Sequence, residues 1–129
     1  MSQEKCRVLV IDDHEDTSEM LKLLLGEEDY KVTIALTGQE ALQLATEQEF
    51  DLYVLDKHLP DGSGVELCTK LTQLTPGVPC VFYTGDAYDF HRREAMAAGA
   101  GAFVAKPDIE GLIDNVNKLL AQNNCATAT

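Results

Sequence analysis

Three aspartates, a threonine and a lysine are the residues of this 129-residue chain whose types and placing could do chemistry together. Asp12 and Asp13 follow the apolar run Val8-Leu9-Val10-Ile11. Asp56 follows Leu52-Tyr53-Val54-Leu55, Thr84 follows Cys80-Val81-Phe82-Tyr83, and Lys106 follows Ala102-Phe103-Val104-Ala105. Short apolar runs of this kind read as strands buried on both faces. In a parallel sheet the C-terminal ends of the strands lie on one edge, where ligands bind. The five residues then converge. Carboxylates so placed repel one another, and a divalent hard cation relieves the repulsion. Mg2+ suits such a site, taking one or two carboxylates, waters and a phosphoryl oxygen. A carboxylate is also a nucleophile toward phosphorus, giving an aspartyl phosphate. A hydroxyl and an ammonium would hold the phosphoryl oxygens. Singly, each residue has a plainer reading as the polar stop of a strand.

The elements that must position these groups follow from periodicity and punctuation. Residues 50–66 are central: a strand, Asp56, the turn residues Pro60, Asp61 and Gly62, then Ser63-x-x-Glu66, a capping box that opens a helix to about residue 75. Its buried stripe is Leu67, Cys68, Leu71 and Leu74. A first helix over about 15–27 places Thr17, Met20, Leu21, Leu24 and Leu25 on one face. Residues 31–36 alternate, with Val32, Ile34 and Leu36 on one side, as a half-exposed edge strand does. Thr37-x-x-Glu40 caps a second helix, with Ala41, Leu44 and Ala45 inward. A fourth helix over about 88–98 stops at Gly99 and has a poor apolar face. Asp108 caps a last helix with Ile109, Leu112, Ile113, Val116, Leu119 and Leu120 along one side. Strand and helix alternate five times, which implies a parallel sheet covered on both faces, with right-handed crossovers. The reading is one domain over residues 1–122 and a flexible C-terminal tail over 123–129.

Composition narrows the function. The net charge is −12, from 22 acidic and 10 basic residues. That argues against direct binding to nucleic acid and against an anionic membrane surface. The 45% hydrophobic and 25% charged fractions are ordinary for a globular domain. The first residues are polar with no apolar run of a signal peptide behind them, and no run is long enough to span a bilayer. Cys6, Cys68, Cys80 and Cys125 show no Cys-x-x-Cys spacing. Cys6, Cys68 and Cys80 fall within apolar segments and read as small core residues in a reducing cytoplasm, while Cys125 lies in the tail.

At this point the chain resembles the receiver domain of two-component response regulators, including the single-domain chemotaxis-regulator type. The matching pieces are Val-Leu-Val-Ile-Asp12-Asp13, Asp56-x-x-Leu-Pro60-x-x-Ser-Gly64, Tyr-Thr84-Gly85 and Lys106-Pro107, spread over about residues 6–121. The resemblance implies a flavodoxin-like fold, α/β and doubly wound, with five helices and strand order 2-1-3-4-5. It implies Asp56 as phosphoacceptor, with a sensor histidine kinase or histidine phosphotransfer protein as donor. It implies Mg2+ (or Mn2+) on Asp13, Asp56 and the backbone carbonyl of His58, with Asp12 acting through water. Thr84 would bond a phosphoryl oxygen, Lys106 would pair with the phosphate, and Phe103 falls at the switch-aromatic position. The Lys106–Pro107 peptide is expected to be cis. Gly85 stands where the family often has alanine. His58 and Asp86 occupy the variable positions that tune how fast the phosphoryl group is lost. Such a chain is a signalling phosphoacceptor, catalysing only its own phosphorylation and slow dephosphorylation. Its output would pass through a downstream protein target, by a conformational switch on the fourth helix, fifth strand and fifth helix, with His91 and Arg92 as exposed contacts.

Three other classes are weighed against this one. An aspartyl-phosphate hydrolase wants a second acid two residues after its nucleophile, where this chain has His58. A phosphorylation-independent interaction module would not need the acceptor set, which is complete here. A flavoprotein of similar fold wants a Ser, Thr and Gly-rich phosphate loop after its first strand. Asp12-Asp13-His14-Glu15-Asp16 would repel that phosphate.

Overall fold

The computed structural model describes residues 5–86 and 88–125. Its elements are β1 (Arg7–Ile11), α1 (Glu15–Glu27), β2 (Lys31–Ala35), α2 (Gly38–Glu47), β3 (Leu52–Leu55), β4 (His58–Leu59), β5 (Gly62–Ser63), α3 (Gly64–Leu74), β6 (Cys80–Thr84), α4 (Asp89–Ala97), β7 (Ala102–Ala105) and α5 (Ile109–Gln122). β4 and β5 form a two-residue antiparallel hairpin in the loop after Asp56. The other five strands make one parallel sheet in the order β2-β1-β3-β6-β7. Without the hairpin this is the expected order 2-1-3-4-5, with β1 to one side of β3 and β6 to the other. The fold is flavodoxin-like.

Strand periodicity divides the core in two. Leu9, Ile11, Tyr53, Leu55, Phe82 and Phe103 face α2, α3 and α4. Val8, Val10, Leu52, Val54, Tyr83 and Val104 face α1 and α5, meeting Leu21, Leu25, Leu112, Val116 and Leu120. Both faces are covered, so the strands read as continuous apolar runs rather than alternating ones. β2 lies at the edge, with Lys31 exposed.

Some expectations change at residue level. On α1, Ser18 is buried and Met20 is 39% exposed, so the inward stripe runs through Ser18, Leu21 and Leu25. The serine hydroxyl donates to the Asp12 carbonyl at 2.8 Å, which a hydrophobic pattern cannot anticipate. On α3, Leu74 is the last residue of the helix and is 44% exposed, so the buried stripe is Leu67, Cys68 and Leu71. Ser63 caps α3 by accepting from the Val65 N–H rather than from that of Glu66. At α2, Thr37 accepts from the Glu40 N–H, while the Glu40 carboxylate reaches back to the Leu36 N–H.

Cys6 and Cys125 are joined in a disulfide, whereas Cys68 and Cys80 are free and buried. The reading of the first two as separate thiols is corrected. The chain turns back after α5: Cys125 N–H donates to the Leu120 carbonyl, and Asn123 Nδ2 donates to the Gly77 carbonyl. That return brings Cys125 to the start of β1, with 6.0 Å between the two Cα atoms. The last four positions of the expected tail, 126–129, lie outside the described residues. No described helix is long and apolar enough to cross a membrane.

Candidate functional site

The site forms where β1, β3, β6 and β7 end together. Parallel pairing fixes the approach: Asp12 N–H donates to the Ala35 carbonyl, Asp56 N–H to that of Ile11, and Lys106 N–H to that of Thr84. Each side chain is therefore placed by a ladder bond rather than by a free loop. Asp12, Asp56 and Thr84 are buried, at 3%, 4% and 1% exposure.

Buried carboxylates require partners, and these are shared. Asp56 Oδ1 accepts from Thr84 Oγ1 at 2.8 Å and, more weakly, from the His58 N–H at 3.3 Å. Asp56 Oδ2 accepts from Lys106 Nζ at 3.1 Å, and the same ammonium donates to Asp12 Oδ2 at 2.9 Å. Burial pulls the Lys106 pKa down, but the Asp12 hydrogen bond and the charges of Asp56 and Asp12 outweigh it, so the ammonium is held above its ordinary 10.5. Its charge is secure across the physiological range. The Lys106–Pro107 peptide is cis, as the resemblance implies.

Gly64 explains how the loop after Asp56 folds so tightly. Its N–H donates to the Lys57 carbonyl at 2.7 Å. A Cβ there would lie 2.0 Å from the Asp56 carbonyl oxygen and 2.9 Å from Lys57 Cα, both backbone atoms. Only glycine lets α3 begin against the end of the strand that leads into Asp56. Around Gly85 the opposite holds: among the described residues nothing lies within 4 Å of a Cβ, so they leave the side of the site next to Thr84 open.

Two histidines sit over this edge. His14 was given no role by sequence. Its N–H donates to Asp12 Oδ1 at 2.9 Å, an Asx turn, and its ring Nδ1 lies 2.8 Å from the same oxygen. The ring is also 3.6 Å from Asp13 Oδ1 and 3.7 Å from Asp56 Oδ2. Asp12, His14 and Asp56 thus present ligand atoms within 4.8 Å of one another. Asp13 stands outside that tight group, with its side chain 38% exposed. Carboxylate oxygens of Asp12 and Asp56, with Asp13 beside them, suit a hard divalent cation. Of the expected metal residues, Asp12 and Asp56 are brought to one place with the His14 imidazole between them, and Asp13 stands at its edge.

His58 belongs to a second chain of contacts. Its Nε2 is 2.6 Å from Asp86 Oδ2, and His91 Nε2 is 3.1 Å from the same oxygen. The His58 hydrogen bond is the main reason that the Asp86 carboxyl sits below its ordinary range. His91 Nδ1 reaches Glu94 at 3.4 Å, and Glu94 pairs with the buried Lys57 at 3.2 Å. The two variable positions are thereby clasped to each other and to α4. The His91 side chain is only 12% exposed, which corrects its reading as an open contact residue; the Asp86 pairing draws it in. Phe103, on β7, is buried with its ring stacked on Phe82 at 6.2 Å between centroids. Asp61 is a further residue missed by sequence. From the hairpin it accepts the Gly38 and Gln39 N–H groups at 2.8 and 2.9 Å, capping α2 from outside.

The family profile of the response regulator receiver domain matches residues 8–117. The chain belongs to that family. The receiver is 34% identical over 121 residues to the probable transcriptional regulatory protein TcrX of Mycobacterium tuberculosis, covering 93% of this chain and 52% of that one. It is 30% identical over 114 residues to response regulator ArlR of Staphylococcus epidermidis, covering 88% and 52%. The chain spans about half the length of these relatives. Among solved structures, a CheY-like receiver domain protein from Methanospirillum hungatei superposes with a TM-score of 0.89 at 31% identity, covering 94% of this chain and 98% of that one. A BeF3-activated DrrB receiver domain gives 0.84 at 28%, covering 92% and 99%.

Proposed function

We propose that this receiver takes a phosphoryl group from a phosphohistidine donor onto Asp56. The donor is a sensor histidine kinase or a histidine phosphotransfer protein, and the output is a downstream protein target. The observation that carries the reading is the shared environment of Asp56: one carboxylate oxygen on Thr84 and the other on Lys106, at 2.8 and 3.1 Å. These donors are placed where a phosphoryl group on Asp56 would bring negative oxygens. Asp13, Asp56 and the His58 carbonyl would hold Mg2+ or Mn2+, with Asp12 through water. The ion would neutralise charge on the transferring phosphoryl group. The chain's own part is to orient Asp56 by its ladder bond, hold one of its oxygens on the Lys106 ammonium, and leave the Gly85 side open to the donor. Such a chain is a signalling phosphoacceptor and turns over only its own acyl phosphate. His58 and Asp86, clasped over the site, set how freely water reaches that phosphate. The acidic surface supports a protein partner over nucleic acid or a membrane, and a cytoplasmic setting suits a kinase donor.

The signalling face is α4, β7 and α5. Phe103 packed on Phe82, with Thr84 turned onto Asp56, is the arrangement that a phosphoryl group would favour. The added charge is about −1.5 to −2 and draws Thr84 inward. Moving the population from 1:99 to 99:1 would require ~5.5 kcal/mol of differential stabilisation, so the shift is graded.

Mixing the protein with Mg2+ and a small phosphodonor tests the assignment. One acid-stable, base-labile phosphoryl group per chain is expected, absent in Asp56→Asn and after chelation of the metal. Labelling of Asp56→Asn at the wild-type level overturns it. Amide shifts on adding beryllofluoride and Mg2+ test the switch, which fails if the Asp56 loop responds while residues 86–108 do not.

A further inference from the structure

Far from the phosphoacceptor edge, the two bonded cysteines meet a third ligand. Sγ of Cys6, Sγ of Cys125 and a carboxylate oxygen of Asp51 lie within 4.8 Å of one another. The carboxylate is fixed by β1: Asp51 N–H donates to the Arg7 carbonyl at 2.7 Å, and Asp51 Oδ2 accepts the Arg7 N–H at 2.8 Å. Among the described residues, Asp51 Oδ1 accepts no hydrogen bond from the protein. Cys6 is buried, while Asp51 and Cys125 are half-buried and line an open cleft with Pro76, Gly77 and Asn123. Two sulfurs, one oriented oxygen and a path from solvent make a donor set for a soft or borderline cation.

We propose that Cys6, Asp51 and Cys125 form a second metal site, for a thiophilic divalent cation of the Zn2+ class, available when the Cys6–Cys125 disulfide is reduced. The geometry suits both states. With metal–sulfur bonds of about 2.3 Å, a tetrahedral ion holds its two sulfurs about 3.8 Å apart. Reduced sulfurs retreat to ordinary non-bonded contact, about 3.5–4 Å, so reduction alone opens the required span. The Cα separation of 6.0 Å accommodates either state by rotation of two side chains.

The balance is simple. Two molecules of a small cellular thiol are oxidised to one disulfide, and the protein sulfurs each take up one proton. The cation then displaces both protons and binds two thiolates and the Asp51 carboxylate, leaving a fourth position for water. The two sites sort cations by chemistry, since Mg2+ prefers an all-oxygen shell. They are also far apart, because Cys6 lies six residues before Asp12 along an extended strand, a separation of about 20 Å. Occupancy would pin the segment after α5 to the start of β1.

Cobalt titration of the full chain, reduced without oxygen, tests the site. The expected result is a sulfur-to-cobalt charge-transfer band in the near ultraviolet that saturates at one Co2+ per chain. Zn2+ abolishes it, and a large excess of Mg2+ does not. The oxidised chain gives no band. Cys125→Ser, a near-isosteric change at a half-buried position on the rim of the core, loses the two-sulfur band while its circular dichroism stays that of wild type. Asp51→Asn keeps the band but weakens Co2+ binding by about tenfold or more, since even outer-shell partners of a metal are worth about 10–100-fold. Absence of the band in reduced wild type overturns the proposal. So does its survival in Cys125→Ser, which would assign it to Cys68 and Cys80, or its presence in the oxidised chain.

Discussion

α4 and α5 flank the same end of the sheet and are held to it by different forces. α5 has 14 residues, and its Leu112, Val116 and Leu120 are wholly buried. Its N-terminus is capped by Asp108, which accepts the Gly111 N–H at 3.0 Å. α4 has nine residues, of which Ala95 alone is buried, and no side chain caps its start. Phe90 and Met96 on α4, and Tyr88 just before it, are 53%, 44% and 69% exposed. Polar contacts hold it instead: His91 to Asp86, and Glu94 to both His91 and Lys57. A buried large apolar side chain is worth about 1.5–3 kcal/mol, and an exposed ion pair about 0–1 kcal/mol. α5 is therefore part of the foundation. α4 rests on contacts that charge, salt and ligands can change.

The sharpest break between the two helices should come from truncation. Leu112→Ala or Leu120→Ala in α5 should cost ~2–5 kcal/mol in urea unfolding. Met96→Ala in α4 should stay within about 0.5 kcal/mol of wild type. Equal costs would dissolve the contrast. A smaller effect is expected in hydrogen exchange. The α4 amides should open by local fluctuation, and those around Val116 only by global unfolding. Raising ionic strength from about 0.1 to 1 M shortens the Debye length from about 10 to 3 Å and should speed exchange in α4 alone.

The smallest effect concerns pH. The His58 hydrogen bond holds Asp86 below its ordinary 3.8, and the Lys57 hydrogen bond holds Glu94 below its ordinary 4.5. A depressed carboxyl stabilises the fold fully above its unfolded value and loses that contribution as pH falls through the lower folded value. Acidification below the ordinary carboxylate range should therefore shift the α4 amide resonances before those of α5. Asp86→Asn with Glu94→Gln should remove the early transition. A single transition shared by both helices in the wild type would count against the polar anchoring of α4.

The sequence was most legible where one physical rule acts locally. The four-residue apolar runs marked the strands, and the residue after or at the end of each run marked the edge where Asp12, Asp56, Thr84 and Lys106 meet. The poor apolar face of α4 was also visible, because burial follows the helical period. What escaped depends on contacts distant in sequence or on loop shape. Asp61 looked like a turn residue, yet it caps a helix that starts 23 residues earlier. Ser18 is buried for its bond to a carbonyl, which no apolar pattern marks. His14 turns over the site through an Asx turn, and its type alone gave no direction. Cys6 and Cys125 are 119 residues apart and meet only because the chain folds back after α5.

The cation between Asp12 and Asp56 also has a history in time. Lys106 is 94 residues after Asp12 and 50 after Asp56. Ribosomes add about 5–20 residues per second, so β1 and β3 are made seconds before their counter-charge exists. During that interval the growing chain carries two facing carboxylates at the edge of an unfinished sheet. Their repulsion opposes early closure of β1 on β3 until a divalent cation or the ammonium of the last strand offsets it. The site is thus assembled late by the order of translation, and a nascent chain stalled before β7 would lack the ammonium that gathers its carboxylates.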